Sequence, residues 1–282
     1  MKNLFITGST GFIGSHVLKH ALKNNIEFTA LRRSHFSRPV IRLNDEPKWI
    51  NSDLLNLKVE NFIGFDVLLH FASATSPKEF DWNELVRTNI LGTSHVIECA
   101  AKAGIKRIVL AGTCHEYGEV DSQKQPIRAD SVLNPINSYG ATKAASFLLA
   151  SAQCKKYNLE MFYGRIFSVF GDGQYKFNLW PSLKEAAING KDFKMTTGQQ
   201  VRDFIHVDDV IKIFFNACSR QDIEKGNVYV QNIGSGKSYK LVDFASSEWK
   251  RFNAKGKLLI GSLPYRKKEP LQMIPDLKEI VV

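Results

Sequence analysis

Cysteines are few in this sequence, and long hydrophobic runs and metal-ligand spacings are absent. The four cysteines, Cys99, Cys114, Cys154 and Cys218, lie far apart with no C-x-x-C pair, which predicts neither a zinc site nor a disulfide framework. No apolar run approaches the length of a membrane span. Residues typical of a strand begin at position 4, so no secretory signal peptide is predicted. We therefore expect a reduced, cytoplasmic compartment, no bound metal and no membrane partner.

Internal repeats and low-complexity tracts are also absent, and the composition is that of a globular protein. The 282 residues are 44% hydrophobic and 23% charged, enough for one large domain or two closely packed ones. The formal net charge of +10 favours anionic small molecules as ligands. Because the basic residues are scattered and not interleaved with aromatic side chains, we expect no nucleic-acid partner.

The N-terminal stretch predicts a dinucleotide site. Leu4 to Ile6 is an apolar run typical of a buried parallel strand, and Ser15 to Leu22 predicts a helix. Between them stand Gly8, Gly11 and Gly14. In such a turn, backbone N–H groups and the helix N-terminus face a pyrophosphate. We assign the tight turn to the first glycine, the close approach to the cofactor to the second, and helix packing to the third.

The end of the second predicted strand, Phe28 to Leu31, bears on which dinucleotide is bound. In folds that bind NAD, an acid about 20 residues beyond the glycines accepts from the ribose hydroxyls. Here Arg32 and Arg33 follow the strand, and no Asp or Glu lies between Thr29 and Leu43. Guanidinium groups suit a 2′-phosphate, so we expect NADP(H) in preference to NAD(H). Two surface arginines at a strand end are the alternative.

Strands and helices continue to alternate along the chain. A strand is predicted from Trp49, running into an acidic turn at Asp53 and Leu54, and further strands at Val67 to Ala74 and Ile108 to Ala111. A helix is predicted at Glu84 to Ala103, and later in the chain a helix at 207–219 and a strand at 228–234 return to the sheet. Asp53, after the third strand, is placed to accept from an adenine amino group. The alternation predicts a doubly wound parallel sheet.

A tyrosine and a lysine lie four residues apart at the start of a further predicted helix. Tyr139 and Lys143 share one face of this helix, which runs to about Lys156. A phenol with a pKa of about 10 is a poor proton donor or acceptor at neutral pH. A neighbouring ammonium stabilises the phenolate and lowers the pKa of the phenol. This spacing alone is common in helices.

Five sequence motifs follow one another along the chain. They are Thr7-Gly8-x-x-Gly11-x-x-Gly14, Thr113…Tyr117-Gly118, Tyr139-x-x-x-Lys143, Arg165-Ile-Phe-Ser-Val169-Phe-Gly171 and Arg202-Asp-Phe-Ile-His206-Val-Asp208-Asp209-Val210. Together they resemble the extended short-chain dehydrogenase/reductase family, in its nucleotide-sugar epimerase/dehydratase/ketoreductase branch. The likeness runs from residue 1 to about residue 280.

The resemblance implies roles for individual residues. Tyr139 is the implied catalytic acid/base, Lys143 binds the nicotinamide ribose and lowers the pKa of the tyrosine, and Thr113 hydrogen-bonds the reacting sugar oxygen. His115 adds a hydrogen bond there. The predicted cofactor-binding residues are Gly8, Thr10, Gly11, Phe12, Ile13, Gly14, Arg32, Arg33, Asp53, Leu54, Phe71, Ala72, Ser73, Tyr139 and Lys143.

Two substrate-binding arginines are implied in the same way, each with a plainer alternative. Arg202 and Arg266 match arginines that contact the diphosphate of a sugar nucleotide, but the first could pair with a neighbouring aspartate and the second sits in a Lys/Arg run. Asn178 is expected to contact the nucleotide base, with Trp180 either a base wall or a core residue. Asn89 is either a site residue or the centre of a structural hydrogen-bond network.

Departures from the family pattern argue against one of the family's reactions, the dehydration of the sugar. Sugar 4,6-dehydratases place carboxylates directly after the catalytic Ser/Thr, whereas this chain has Cys114 and His115 there. Glu116 is one position further and, if 113–117 is extended, points to the other side. Ser168 replaces the family's asparagine, which helps to hold the sugar. Dehydration is therefore disfavoured.

The predicted fold is a Rossmann-like doubly wound parallel α/β sheet with a smaller mixed α/β substrate domain. The larger domain is expected at 1–168 and 205–234, and the smaller one at 169–204 and 235–282. The predicted activity is NADPH-dependent reduction of the 4-keto group of a nucleotide-linked 6-deoxy sugar. An NAD-dependent nucleotide-sugar 4-epimerase is the alternative, while a 4,6-dehydratase or a non-catalytic dinucleotide sensor fits less well. The family resemblance also implies a homodimer.

Overall fold

Fourteen strands and seven α-helices make up the part of the chain that the computed structural model describes, residues 2–75, 81–121, 123, 125–265 and 270–282. The strands are β1 Leu4–Thr7, β2 Phe28–Arg32, β3 Trp49–Asn51, β4 Val67–His70, β5 Arg107–Thr113, β6 Glu160–Ile166, β7 Ser168–Phe170, β8 Phe193–Lys194, β9 Val201–His206, β10 Val228–Ile233, β11 Ser238–Lys240, β12 Leu258–Leu259, β13 Gln272–Met273 and β14 Ile280–Val281. The helices are α1 Phe12–Lys23, α2 Trp82–Leu85, α3 Thr93–Lys102, α4 Ser138–Tyr157, α5 Leu179–Ile188, α6 Val207–Ser219 and α7 Leu241–Arg251.

The main sheet has eight strands in the order β14-β10-β6-β5-β4-β1-β2-β3. Neighbouring strands are parallel except for the antiparallel β10–β14 pair. The chain starts in the middle, builds one wing as β1-β2-β3 and then the other as β4-β5-β6-β10. This order confirms the predicted doubly wound parallel sheet.

Both faces of the sheet are covered, and the alternation of side chains along each strand divides the core in two. Phe5 and Leu68 point to the face covered by α3 and α4. Ile6 and Leu69 point to the opposite face, covered by α1 and α6. Burying each such side chain contributes about 1.5–3 kcal/mol, so these two layers fix where the strand ends lie.

Two helices depart from their predicted bounds. α1 begins at Phe12 and not at Ser15, because the backbone is already helical directly after the Gly11 N-cap. The helix predicted from Glu84 begins at Trp82, where Asp81 accepts from the N–H of Asn83. A π-helical stretch, Val86–Gly92, joins α2 to α3. The predictions for α6 and β10 are confirmed to within one residue.

A second sheet, ordered β11-β9-β13 with β7 also pairing with β9, lies beside the main one. α5 and α7 pack together around Leu183, Ala245 and Trp249. β14 adds to the main sheet, although the predicted domain limits put its residues in the smaller domain. The division into two domains stays a prediction. No helix within the described residues is long and apolar enough to cross a bilayer.

Candidate active site

The glycine turn between β1 and α1 is packed too closely to accept larger residues at two of its three glycines. Gly8 has φ +71°, and a Cβ there would lie 2.5 Å from the backbone nitrogen of Ala72. A Cβ on Gly14 would lie 2.0 Å from the carbonyl oxygen of Gly8. Gly11 donates its N–H to that same oxygen at 3.0 Å, while its own Cβ direction is nearly open. The turn therefore leaves space only on the side of the second glycine.

A buried histidine ties this turn to the next strand end, and sequence reasoning missed it. The ring of His70 contacts Thr7 Oγ1 at 2.7 Å and Thr93 Oγ1 at 3.0 Å. Thr7 Oγ1 also accepts from the N–H of Ala72. Burial, together with the charge of Lys143, lowers the pKa of His70 to about 3, so the ring is neutral. Thr7 stands opposite His70 in the parallel pair of β1 and β4. Two polar residues at matching positions of these apolar strands were the available signal for a buried contact.

Two cavities run along the carboxyl ends of the strands, and every predicted cofactor-binding residue lines one or both of them. The first, of about 340 Å³, is lined by Gly8, Thr10, Gly11, Arg32, Arg33, Asp53, Leu54, Phe71, Ala72 and Ser73 among others. The second, of about 430 Å³, shares Gly8, Gly11, Phe71 and Ser73 with the first and adds Phe12, Ile13, Gly14, Tyr139 and Lys143. The shared residues make the two cavities one groove. Its length and its open glycine fit an extended dinucleotide.

The two arginines after β2 differ in their surroundings. Arg32 donates from Nε to Asn51 Oδ1 at 2.7 Å, and its guanidinium lies 4.7 Å from the ring centre of Trp49. The side chain of Arg33 is 70% exposed and lies 3.6 Å from Glu84. Arg33 is therefore the one with a guanidinium turned to solvent at the rim of the first cavity.

Asp53 already has a structural role at the same end of the groove. Its Oδ1 accepts from the N–H of Leu55 at 3.0 Å, which caps the 3-10 turn Leu54–Asn56. The same oxygen lies 3.6 Å from Arg87. The carboxylate borders the cavity, so its predicted contact with adenine stays a prediction.

Tyr139 and Lys143 face the second cavity from the first turns of α4. Asn137 caps this helix by accepting from the N–H of Gly140 at 2.8 Å. Burial and the nearby charge of Glu116 raise the pKa of Tyr139, against the opposite effect of hydrogen bonds from Thr113 and Ser73. Burial lowers the pKa of Lys143, and Glu116 counteracts it. The expectation that the pKa of this tyrosine is lowered is therefore wrong: burial and the charge of Glu116 outweigh the groups that lower it, and the phenol is protonated at neutral pH.

Residues 114–116 are not extended, so the condition under which Glu116 would point to the other side is not met. Cys114–Glu116 form a 3-10 turn, in which the Thr113 hydroxyl accepts from the N–H of His115. This turn brings Glu116 back into the protein interior, where it pairs with Arg165. Its carboxylate is 0% exposed, so the conclusion that it is not offered to the cavity holds for a different reason. Burial also raises the pKa of the Cys114 thiol to about 12.

His115, like Cys114, lines the second cavity from this turn. Its ring centre lies 6.0 Å from that of Tyr139. Although the ring is in contact with solvent in the cavity, the protein around it desolvates the charged form and lowers its pKa, and the charge of Arg202 acts in the same direction. A neutral imidazole beside the phenol can donate or accept one hydrogen bond.

The predicted substrate residues are divided between the cavity and its surroundings. Asn178, the N-cap of α5, and Ser168 line the second cavity. Trp180 is 6% exposed and donates to Glu248 at 2.7 Å, which confirms its alternative interpretation as a core residue. Arg202 donates to the carbonyl of Pro270. Arg266 lies outside the described residues.

Asn89 is at the centre of a buried network, as its structural alternative predicts. Its side chain accepts from the N–H of Ala74 at 2.8 Å and from the Ser73 hydroxyl at 3.0 Å. It donates to the Ala74 carbonyl and to the Thr142 hydroxyl. The network links the groove wall to α4. Asn89 itself lies in the π-helical stretch, and such stretches are frequent at functional sites.

The fold, the glycine turn and the Tyr139–Lys143 pair define a dinucleotide-dependent enzyme of the short-chain dehydrogenase/reductase type. The family model described as the NAD dependent epimerase/dehydratase family matches residues 4–234. The chain belongs to that family, and the predicted resemblance is confirmed.

Relatives in this family carry several activities. The chain is 29% identical over 268 residues to the trifunctional UDP-glucose 4,6-dehydratase/UDP-4-keto-6-deoxy-D-glucose 3,5-epimerase/UDP-4-keto-L-rhamnose-reductase RHM3 of Arabidopsis thaliana, which covers 89% of this chain and 40% of the relative. The chain thus spans less than half the length of that protein. It is 28% identical to the probable UDP-arabinose 4-epimerase 1 of Oryza sativa subsp. japonica, over 87% of this chain and 66% of the relative.

Among solved structures, a similar one is MoeE5 in complex with UDP-glucuronic acid and NAD. Its TM-score is 0.83 at 26% identity, with 98% of this chain and 90% of that chain covered. This match supports the assignment of a Rossmann-type fold to the chain.

Proposed function

We propose that this protein reduces the 4-keto group of a nucleotide-linked 6-deoxy sugar with NADPH. The observation that carries the proposal is the second cavity itself. It brings Thr113, Tyr139 and Lys143 together, and the described part of its lining contains no Asp or Glu. Such a site can transfer a proton to a carbonyl oxygen but has no carboxylate to run an elimination.

The residues of the groove fit the cofactor. The glycine turn would hold the pyrophosphate and the Phe71–Ser73 segment would form a wall of the groove, while Lys143 would bind the nicotinamide ribose. When bound, NADPH supplies the hydride. Arg33 is our candidate for the 2′-phosphate, because its guanidinium is exposed at the cavity rim.

The protein's own groups supply the proton. Tyr139, whose pKa is raised, carries a proton at neutral pH and donates it to the oxygen at C4. Lys143 and Thr113 stabilise the negative charge that develops on that oxygen. His115, at the cavity wall beside the phenol, adds a hydrogen bond. Each turnover then converts one C=O into one CH–OH and consumes one hydride and one proton.

Asn178, in the lining of the second cavity, would contact the nucleotide base. The family resemblance assigns the diphosphate to Arg202 and to Arg266, which lies outside the described residues. The net charge of +10 favours such a dianionic ligand.

A nucleotide-sugar 4-epimerase is the second candidate. It is supported by the name of the rice relative and by the NAD in the MoeE5 complex. An epimerase keeps its cofactor bound and returns the hydride to the same sugar, so it shows no net oxidation of NADPH.

We also infer a homodimer. Leu148 and Leu149 are exposed apolar side chains on α4, the helix that carries Tyr139. A face of this kind on a helix is suited to packing against a second copy.

The test is to incubate the protein with NADPH and with 4-keto-6-deoxy sugars linked to different nucleotides. We expect NADPH absorbance to fall and a product two hydrogens heavier to appear. The Tyr139→Phe variant should bind NADPH normally and lose about 10²–10⁴-fold in kcat, the usual contribution of a general acid. A folded protein that binds NADPH and oxidises it with none of these sugars would contradict the proposal.

A further inference from the structure

A buried ion pair is formed by Glu116 and Arg165, which directly neighbour in the chain His115 and Ile166 of the cavity lining. Arg165 is 1% exposed and Glu116 is 0% exposed. Arg165 donates from Nε to Glu116 Oε2 at 2.7 Å and from Nη1 to the hydroxyl of Tyr117 at 3.0 Å. Its Nη1 also donates to the carbonyl of Ala129 at 2.8 Å. The guanidinium is thus fixed on several sides, and it fixes one oxygen of the carboxylate.

The second oxygen of Glu116 reaches the active site. Oε1 accepts from the backbone N–H of Thr113 at 2.8 Å and from the hydroxyl of Tyr163 at 2.8 Å. The Tyr163 hydroxyl in turn lies 3.5 Å from the carbonyl of Lys143. A single carboxylate therefore contacts the backbone of one catalytic residue directly and that of another through one hydroxyl.

Two glycines show that this arrangement has no slack. A Cβ on Gly112 would lie 2.3 Å from the ring of Tyr163 and 2.8 Å from Glu116 Oε1. A Cβ on Gly140, in the first turn of α4, would lie 2.3 Å from the carbonyl oxygen of His115. The helix that carries Tyr139 is therefore pressed against the turn that Glu116 closes.

We propose that Glu116 is a positioning residue of this active site: its carboxylate, held by Arg165 and Tyr163, fixes the backbone of Thr113 and sets a negative charge behind Tyr139 and Lys143. This charge favours the protonated form of both groups, the phenol of Tyr139 and the ammonium of Lys143. The inference rests on the proposed function only for its effect on turnover.

The groups around the tyrosine define what the charge acts on. Tyr139 is faced by Thr113, Cys114 and His115 from the turn, by Ser73 from the groove wall, and by Lys143 one helical turn away. Glu116 is faced by Arg165 and Tyr163 from β6 and by Thr113 and Tyr117 from its own segment. Glu116 raises the pKa of both Tyr139 and Lys143, so its charge favours a protonated phenol beside an ammonium.

The test compares two glutamates that each pair with a buried arginine. Glu116→Gln removes the charge with the shape retained. Glu160→Gln is the matched control, because Glu160 also pairs with a buried arginine, Arg107, at 2.6 Å. Glu160 is on β6, as Arg165 is, but at the opposite end of that strand. In the cofactor-free protein, the ionisation of Tyr139 is followed by ¹³Cζ-tyrosine NMR, with the signal assigned from Tyr139→Phe.

We expect Glu116→Gln to lower the pKa of Tyr139, because it removes a negative charge that favours the protonated phenol. The basic limb of the pH profile of kcat should move down with it, while KM changes little. Glu160→Gln should move neither quantity. The inference is overturned if Glu116→Gln folds and leaves the tyrosine pKa unchanged, or if both variants shift it equally.

A second variant, Tyr163→Phe, tests the inference if the Glu116→Gln protein fails to fold. Tyr163→Phe keeps the ring but removes one donor to the same carboxylate, which leaves its charge less compensated. The pKa of Tyr139 should then rise further, so an unchanged or lowered pKa would overturn the inference. Because the NMR measurement needs no turnover, its outcome is independent of whether the protein reduces any sugar.

Discussion

The glycine turn allows a prediction that separates stability from binding, through alanine at Gly14 and at Gly11. Gly14 lies inside α1, where alanine alone would stabilise the helix by about 1 kcal/mol over glycine. Its Cβ would however lie 2.0 Å from the Gly8 oxygen and 2.9 Å from Cα of Ser9. These are backbone atoms, held in place by the Thr7–His70 contact, so they cannot move aside as a side chain would.

The clash therefore outweighs the gain in helix propensity. Overpacking costs about 1–3 kcal/mol and more where the neighbours are rigid, so we expect Gly14→Ala to lose about 2 kcal/mol of unfolding free energy. For a chain of 282 residues that corresponds to a fall in Tm of about 3–4 °C.

Gly11→Ala should behave in the opposite way. Gly11 has φ −80° and ψ 178°, a conformation open to alanine, and its Cβ would meet only the Gly8 oxygen at 3.3 Å. The change in stability should stay within about 1 kcal/mol, as for other substitutions at a helix N-cap. The added methyl enters the groove, so NADPH affinity should fall.

Thermal melting and NADPH fluorescence titration of both variants check this pair. The reasoning is refuted if Gly14→Ala melts with the wild type, or if Gly11→Ala binds NADPH as tightly as the wild type.

Three further outcomes follow from the same structure. Arg33→Ala should weaken NADPH binding by about 10–100-fold, the value of a charge-assisted hydrogen bond, and leave NADH binding unchanged; equal losses for both cofactors in parallel titrations would count against a 2′-phosphate contact. The pKa of His70 is lowered to about 3, so between that value and its unfolded value near 6.5 the unfolded chain binds the extra proton and stability falls as the pH drops. Denaturant unfolding should show a loss of about 2 kcal/mol from pH 7 to pH 5 that His70→Gln lacks, and equal slopes for the two proteins would refute a buried neutral ring. Leu148→Glu should convert the proposed dimer into a folded monomer by light scattering, and an unchanged mass would remove α4 from the interface.

Local patterns in the sequence were sufficient for most of the fold. The apolar runs of β1 and β4 and the amphipathic stretch of α6 each depend on residues close together in the chain, so their places could be predicted. The parallel, doubly wound character of the main sheet followed from the alternation of strands and helices. The groove residues were predictable for the same reason, since they stand at the ends of these strands.

The features that sequence reasoning missed depend on distant partners. Glu116 turns inward because Arg165 and Tyr163, on another strand, donate hydrogen bonds to its carboxylate. The residues near Thr113 do not indicate these distant donors. The choice between the two interpretations of Trp180 also depends on a distant residue, since Glu248 accepts from its indole N–H in the core. Such contacts are set by tertiary packing, which the pattern of residue types near one position does not encode.

The most direct test of the proposed reaction follows the hydride. NADPH that carries deuterium at its transferable position is supplied with a nucleotide-linked 4-keto-6-deoxy sugar, and the product is analysed by mass spectrometry and NMR. Our account predicts one deuterium at C4 of the reduced sugar for each NADPH consumed. A sugar that is inverted at C4 with no deuterium and no loss of NADPH would contradict the reductase and identify an epimerase.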